Sequence, residues 1–259
     1  MVHVQVDGPA DGPVTLLVHG FSSSLHAWDR VVPHLPPAVR VVRVDLLGHG
    51  RTGGAAADAP AQARAVAAVL DDLGVTDVTA VGHSFGADVV VELARRSTRV
   101  ARLVVVAQAP DYSAAVFPRA GWLVTVPRAS AALYRAVRPA FRLVAAAADL
   151  RGTGGGGPGA AAQALRDLAA LDGAMFRVVL VARRARLAAR PLDAELTRPT
   201  TVLLGARDHF YGDRSAGRYR AAGAQVEVVP DGGHALPLTH AGLVAATVAS
   251  ALDDPAGTR

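Results

Sequence analysis

Apolar residues follow two rhythms along this chain. Short, nearly unbroken apolar runs, bounded by glycine, proline or charged residues, alternate with longer stretches in which apolar positions recur every three or four residues. The short runs predict strands at Val2–Val6, Val14–Val18, Val39–Val44, Asp77–Val81, Val100–Ala107, Pro199–Leu204 and Gln225–Val229. The longer stretches predict helices over His26–Val32, Asp58–Leu73, Ala87–Arg96 and Leu243–Leu252. Strands that are apolar on both sides, separated by helices, predict an α/β fold: a mostly parallel central sheet with helices packed on its faces.

The alternation stops after Asp111. From there to Arg190 no strand–helix pair stands out, and two amphipathic stretches, Gly121–Leu150 and Ala160–Ala189, flank the glycine run Gly152–Gly159. Such a run cannot hold a helix and predicts a flexible turn. The expected organisation is therefore a core of residues 1–110 and 191–259, with 111–190 inserted as a helical cap, or lid. Ligands in parallel sheets bind beyond the carboxyl ends of the strands, which is where an insertion after a strand must lie.

Composition narrows the picture. At 259 residues and 51% hydrophobic, the chain is long enough for one large domain with a sizeable core. It has no cysteine, which removes disulfides, a thiol nucleophile and thiolate metal ligands together. No basic-then-apolar leader opens the sequence and no apolar run is long enough to span a bilayer, so the expected location is cytoplasmic. The net charge of +5 is uneven: residues 111–190 hold twelve Arg against four Asp, a local +8, and the remainder is slightly acidic. Arg183, Arg184, Arg186 and Arg190 cluster at the end of that segment. A solvated helix face is the first expectation for them. The alternative is steering of an anionic substrate or docking of an acidic carrier protein. Nucleic acid is not expected, because no aromatic platform or binding motif accompanies the arginines.

The candidate chemistry centres on Gly82-His83-Ser84-Phe85-Gly86, set between a predicted strand and a predicted helix. A serine on such a sharp turn, with glycine two residues to either side, is a nucleophile elbow. A serine hydroxyl is a weak nucleophile until a neighbouring base takes its proton, and that base needs a carboxylate to orient it. The ends of later strands supply both: Gly205-Ala206-Arg207-Asp208 and Gly232-Gly233-His234. Two other loops end strands, Leu17-Val18-His19-Gly20-Phe21 and Asp45-Leu46-Leu47-Gly48-His49-Gly50-Arg51-Thr52. His19, Asp45 and His49 are read as braces between loops. His209 and His240 compete with His234 for the role of base, but neither follows a glycine pair after the last strand.

These five stretches together resemble the α/β-hydrolase superfamily from Val14 to about Leu252, most nearly its small capped esterase-like members. The resemblance implies Ser84 as nucleophile, His234 as general base and then acid, and Asp208 as the orienting acid. It places the oxyanion hole on the backbone N–H groups of Phe21 and Phe85. Some members carry the acid after the strand before the cap, where this chain has Asp111. Ser84 in place of an aspartate speaks against the haloalkane dehalogenase and epoxide hydrolase branches. Ala235 in place of tryptophan speaks against the branch that cleaves ring-fission products. The activity implied is hydrolysis of an ester, lactone or thioester of a small-molecule acyl substrate, with no metal or organic cofactor. Rival expectations are a cyclase, lyase or acyltransferase of secondary metabolism, and a ligand-binding receptor without turnover.

Overall fold

The computed structural model describes residues 1–113, 132, 134–141, 143–144 and 159–253. Seven strands make one sheet: β1 (Val4–Asp7), β2 (Val14–Val18), β3 (Arg40–Val44), β4 (Val78–His83), β5 (Val100–Val106), β6 (Thr200–Gly205) and β7 (Gln225–Val229). Their spatial order is β1-β3-β2-β4-β5-β6-β7. β1 runs antiparallel to β3, and every other pairing is parallel. The chain steps from β2 outward to β3 and then returns to β4 on the other side of β2. That reversal opens a crevice at the carboxyl ends of β2 and β4, where Val18 pairs with Gly82.

Strand alternation divides the core between the two faces. Leu16 and Val18 of β2 pack toward α1 (Ala59–Asp72) and α2 (Phe85–Arg96), while Leu17 faces Trp28 and the closing helix Ala241–Asp253. All three β2 residues are wholly buried, each burial contributing about 1.5–3 kcal/mol. Asp58 caps α1 by accepting the amide of Ala61, with Pro60 in the first turn where no amide is needed.

Between β5 and β6, residues 134–141 are helical, followed by α3 (Ala160–Ala170), α4 (Met175–Arg177), a π-helical turn at Val178–Ala182 and α5 (Arg183–Ala189). This segment packs over the loops that follow β2 and β3. The Phe176 ring stands edge-on to Phe21 at 5.0 Å, Asp172 accepts the amide of Ala56 at 2.9 Å, and Gly48 accepts the amide of Asp172 at 2.8 Å. Most of Gly121–Leu150 and the run Gly152–Pro158 lie outside the described residues. The chain then closes through α6 (Ala216–Ala221), α7 (Leu236–Thr239) and α8 (Ala241–Asp253).

One expected helix is absent. His26–Val32 is instead two 3₁₀ turns, Leu25–Trp28 and Val32–His34, since the amides of Asp29 and Val31 donate three residues back, to His26 and Trp28, and not four. Among the described residues, no helix is long and apolar enough to cross a membrane.

Candidate active site

Ser84 sits between β4 and α2 with φ 51° and ψ −121°, a backbone conformation that side chains rarely adopt. Such a conformation costs on the order of 1–3 kcal/mol and persists only where the surroundings impose it. Here its amide donates to Val106 on β5 at 2.9 Å, and the flanking glycines allow the close approach. A Cβ on Gly82 would overlap the Gly86 carbonyl, and one on Gly86 would overlap the carbonyls of Val18 and His19. The elbow is thereby wedged against the end of β2, and Gly20 lies against the Ser84 side chain.

His234 comes to Ser84 from the loop after β7. Its Nε2 is 3.0 Å from Ser84 Oγ, and its Nδ1 is 2.8 Å from Asp208 Oδ2. Asp208 follows β6, and its second oxygen, Oδ1, accepts the amides of Phe210 at 2.8 Å and Tyr211 at 3.3 Å. The two loops can come this close because Gly205 has no side chain: a Cβ there would overlap the carbonyl of Gly232. Burial works against the Asp208 charge, but the hydrogen bond and charge of His234, with the two amides, outweigh it and hold the carboxyl below its usual range. With Nδ1–H donated to that carboxylate, the Nε2 lone pair faces the serine hydroxyl.

Three further histidines surround this group, and none touches Ser84 Oγ. His83 donates Nε2–H to the His234 carbonyl at 2.8 Å, fixing the backbone of the histidine loop. His19 donates Nδ1–H to the Gly20 carbonyl and accepts the Leu46 amide at Nε2, so it braces the loops after β2 and β3 as expected. His49 stacks edge-on to His19 at 5.1 Å. Burial, the leading cause in each, lowers His19 to about 4 and both His49 and His83 to about 3, so all three are neutral.

Asp111 is not brought to His234. Its carboxylate accepts Arg218 Nη1 at 2.7 Å and the Ser113 amide at 2.8 Å, while Arg218 also grips Asp193. The arginine cluster divides: Arg184 and Arg190 are exposed, as expected of a solvated face, whereas Arg183 and Arg186 turn inward. Arg183 is 4% exposed, and its Nε lies 3.0 Å from both oxygens of Asp88, which is itself wholly buried in α2. Arg186 also donates to Asp88, at 2.9 Å. Arg183 and Arg186 therefore form neither a solvated face nor free steering charges. A signal for this was present in the sequence. Met175, Val179 and Leu187 are buried at four-residue spacing, and Arg183 occupies the position of that stripe where an apolar residue belongs. Its partner Asp88 interrupts an otherwise apolar stretch of α2.

The family model for the alpha/beta hydrolase family matches residues 15–247. The chain belongs to the alpha/beta hydrolase family. Among curated proteins, it is 42% identical over 105 residues to the lipase LipV of Mycobacterium tuberculosis, a match covering 40% of this chain and 40% of that protein. It is 36% identical over 98 residues to a haloalkane dehalogenase of Mesorhizobium japonicum, covering 37% of this chain and 32% of that one. The matched stretches thus span well under half the length of these relatives. Among solved structures, the enol-lactonase of Burkholderia xenovorans LB400 superposes with a TM-score of 0.74 at 21% identity, covering 98% of this chain and 96% of that one. That similarity extends the shared hydrolase fold across nearly the whole chain.

Proposed function

We propose that this hydrolase cleaves an ester, lactone or thioester through an acyl-Ser84 intermediate. The observation that carries the reading is the single imidazole of His234 bonded at once to Ser84 Oγ and Asp208 Oδ2, at 3.0 and 2.8 Å. The fixed tautomer lets Nε2 take the serine proton as Oγ attacks the acyl carbon. The imidazolium then forms beside the Asp208 carboxylate and returns the proton to the leaving alcohol or thiol. Water repeats the sequence to release the acid.

The oxyanion is assigned to the amides of Phe85 and Phe21. Phe85 opens α2, so its N–H has no partner within the helix, and the positive end of the helix dipole lies beneath it. Phe21 follows Gly20, the residue packed against Ser84. Losing one such donor typically costs about 2.7–4 kcal/mol of barrier lowering. Residues 111–190 are assigned as the cap, which would shape the acyl pocket from above. The contact of Phe176 with Phe21 supports this.

The test uses a fluorophosphonate probe with a panel of esters, lactones and acyl thioesters. The parent should label at Ser84 and turn over at least one member of the panel. Ser84→Ala should fold normally, escape labelling and lose turnover. Undiminished turnover by a folded Ser84→Ala protein would remove the acyl-enzyme mechanism.

A further inference from the structure

The loop that carries Asp208 is held from outside the catalytic group. Tyr211 donates its amide to Asp208 Oδ1, and its phenol oxygen accepts Arg183 Nη1 at 3.2 Å. Arg183 in turn binds Asp88, which stands on α2 one turn beyond Ser84. These contacts close a ring: Ser84, α2, Asp88, Arg183, Tyr211, Asp208, His234 and Ser84 again. We propose that Arg183 and Tyr211 are positioning residues that aim the Asp208 carboxylate at His234, an inference that rests on the assignment of Ser84, His234 and Asp208 above.

Packing alone does not account for the pair. Arg183 and Asp88 are almost fully withdrawn from water, and a buried ion pair is on average no better for stability than apolar side chains of similar volume. The stripe formed by Met175, Val179 and Leu187 would accommodate such a side chain at position 183. An arginine there leaves Nη2 buried without a hydrogen-bond partner, a further cost of about 1–3 kcal/mol. What an apolar residue could not do is hold the Tyr211 hydroxyl. The guanidinium is fixed for that purpose: Asp88 takes Nε, the Tyr112 ring lies 4.8 Å beneath the guanidinium carbon, and Nη1 points to Tyr211. Asp88 is held in turn by Gln108 Nε2 at 2.8 Å, from the end of β5.

The consequence for chemistry lies in the two oxygens of Asp208. While the amides of Phe210 and Tyr211 occupy Oδ1, Oδ2 is left directed at His234. If the Tyr211 ring is released, its amide, already the longer of the two bonds, moves off Oδ1 and the carboxylate is free to rotate. Small displacements of this kind lower kcat without changing substrate binding.

Four variants test this with 4-nitrophenyl acetate as substrate, kcat being expressed per fluorophosphonate-reactive Ser84. Tyr211→Phe removes one oxygen and should lower kcat about 10- to 100-fold, with KM unchanged within about twofold. Arg183→Met should give the same loss, and the double variant should be no worse than either single change, because both break one chain of contacts. Arg186→Gln breaks the other arginine contact of Asp88 without touching Tyr211, so it should lower the thermal midpoint and leave kcat per labelled site intact. If Tyr211→Phe keeps parental kcat, or if Arg186→Gln loses as much as Tyr211→Phe, the Asp88 cluster is only a structural clamp and the proposal falls. Should Arg183→Met fail to fold, the isosteric Tyr211→Phe decides alone. A parent that never labels at Ser84, with Ser84→Ala still active, would instead overturn the catalytic assignment itself. That outcome is distinct from a labelled parent whose kcat is indifferent to Tyr211.

Discussion

Two carboxylates ended strands on either side of the inserted segment, and their surroundings now separate them. Asp208 holds the Nδ1 of His234, while Asp111 is bound to Arg218 together with Asp193. Asp208→Asn would present an amide to Nδ1 and favour the wrong tautomer, a change that lowers turnover about ten-thousandfold in a serine protease. Asp111→Asn should leave turnover near the parental level and at most weaken the Arg218 contact. Steady-state kinetics on one ester decide the ranking, and the reverse order would move the acid to Asp111. The serine, the histidine and both candidate acids were legible as residues, because each follows a strand, and Ser84, Asp208 and His234 do so in glycine-marked loops. The preference for Asp208 over Asp111 was legible too, in its Gly-x-x-Asp loop; what the sequence does not display is that the β6 and β7 loops bring its carboxylate to the imidazole. Arg183 was misread for a related reason. A count of charges registers a +8 segment but not that one guanidinium lies on the buried stripe of its helix.

At the scale of elements, the loops after β2 and β3 are tied by Asp45 as well as by His19. Asp45 is 1% exposed, and its oxygens accept the amides of Leu25 at 2.7 Å and Arg51 at 2.8 Å. Asp45→Ala would leave both amides without their partner, at about 1–3 kcal/mol each. The variant should therefore lose roughly 2–4 kcal/mol of stability in urea unfolding, given partial hydration of the opened loop. A loss under about 1 kcal/mol would show that the two loops hold each other without it. The strands themselves were readable to within a residue or two, because continuous apolar runs between turn residues have few alternatives. β1 and β4 were displaced or extended at their ends, where the ladder partner and not the local sequence sets the limit. The helix expected over His26–Val32 is two 3₁₀ turns because apolar spacing of three to four residues does not distinguish one short α-helix from successive 3₁₀ turns. α6 was missed, since six residues rich in arginine and alanine have no apolar periodicity to display.

Across the whole molecule, the carboxyl edge of the sheet is lined by histidines that burial keeps neutral: His19 after β2, His49 after β3 and His83 at the end of β4. Each has a folded-state value well below the 6.5 of an unfolded chain. As the pH falls through 6.5, the unfolded state takes up protons that the folded state refuses, so stability present at neutral pH is progressively lost until the folded values near 4 and 3 are reached. Each group contributes a slope of about 1.4 kcal/mol per pH unit in the middle of that window. Three together give roughly 4 kcal/mol per unit, comparable with a large part of a typical domain's total stability of about 5–15 kcal/mol. Asp167, raised by its burial against the pull of Ser24 and Gln163, acts in the opposite sense, but only near the carboxylate range. Acid unfolding should therefore begin at about pH 5, above the range in which Asp208 loses its charge. Urea unfolding followed by circular dichroism at half-unit steps from pH 7.5 to about 4.5 would read the slope directly as protons taken up. His49→Gln should unfold with one proton fewer across the same window, whatever its stability at neutral pH. A stability that stays level from pH 7 to about 5 would mean these histidines are protonated in the folded protein, and the neutral histidine layer beneath the active site would have to be abandoned.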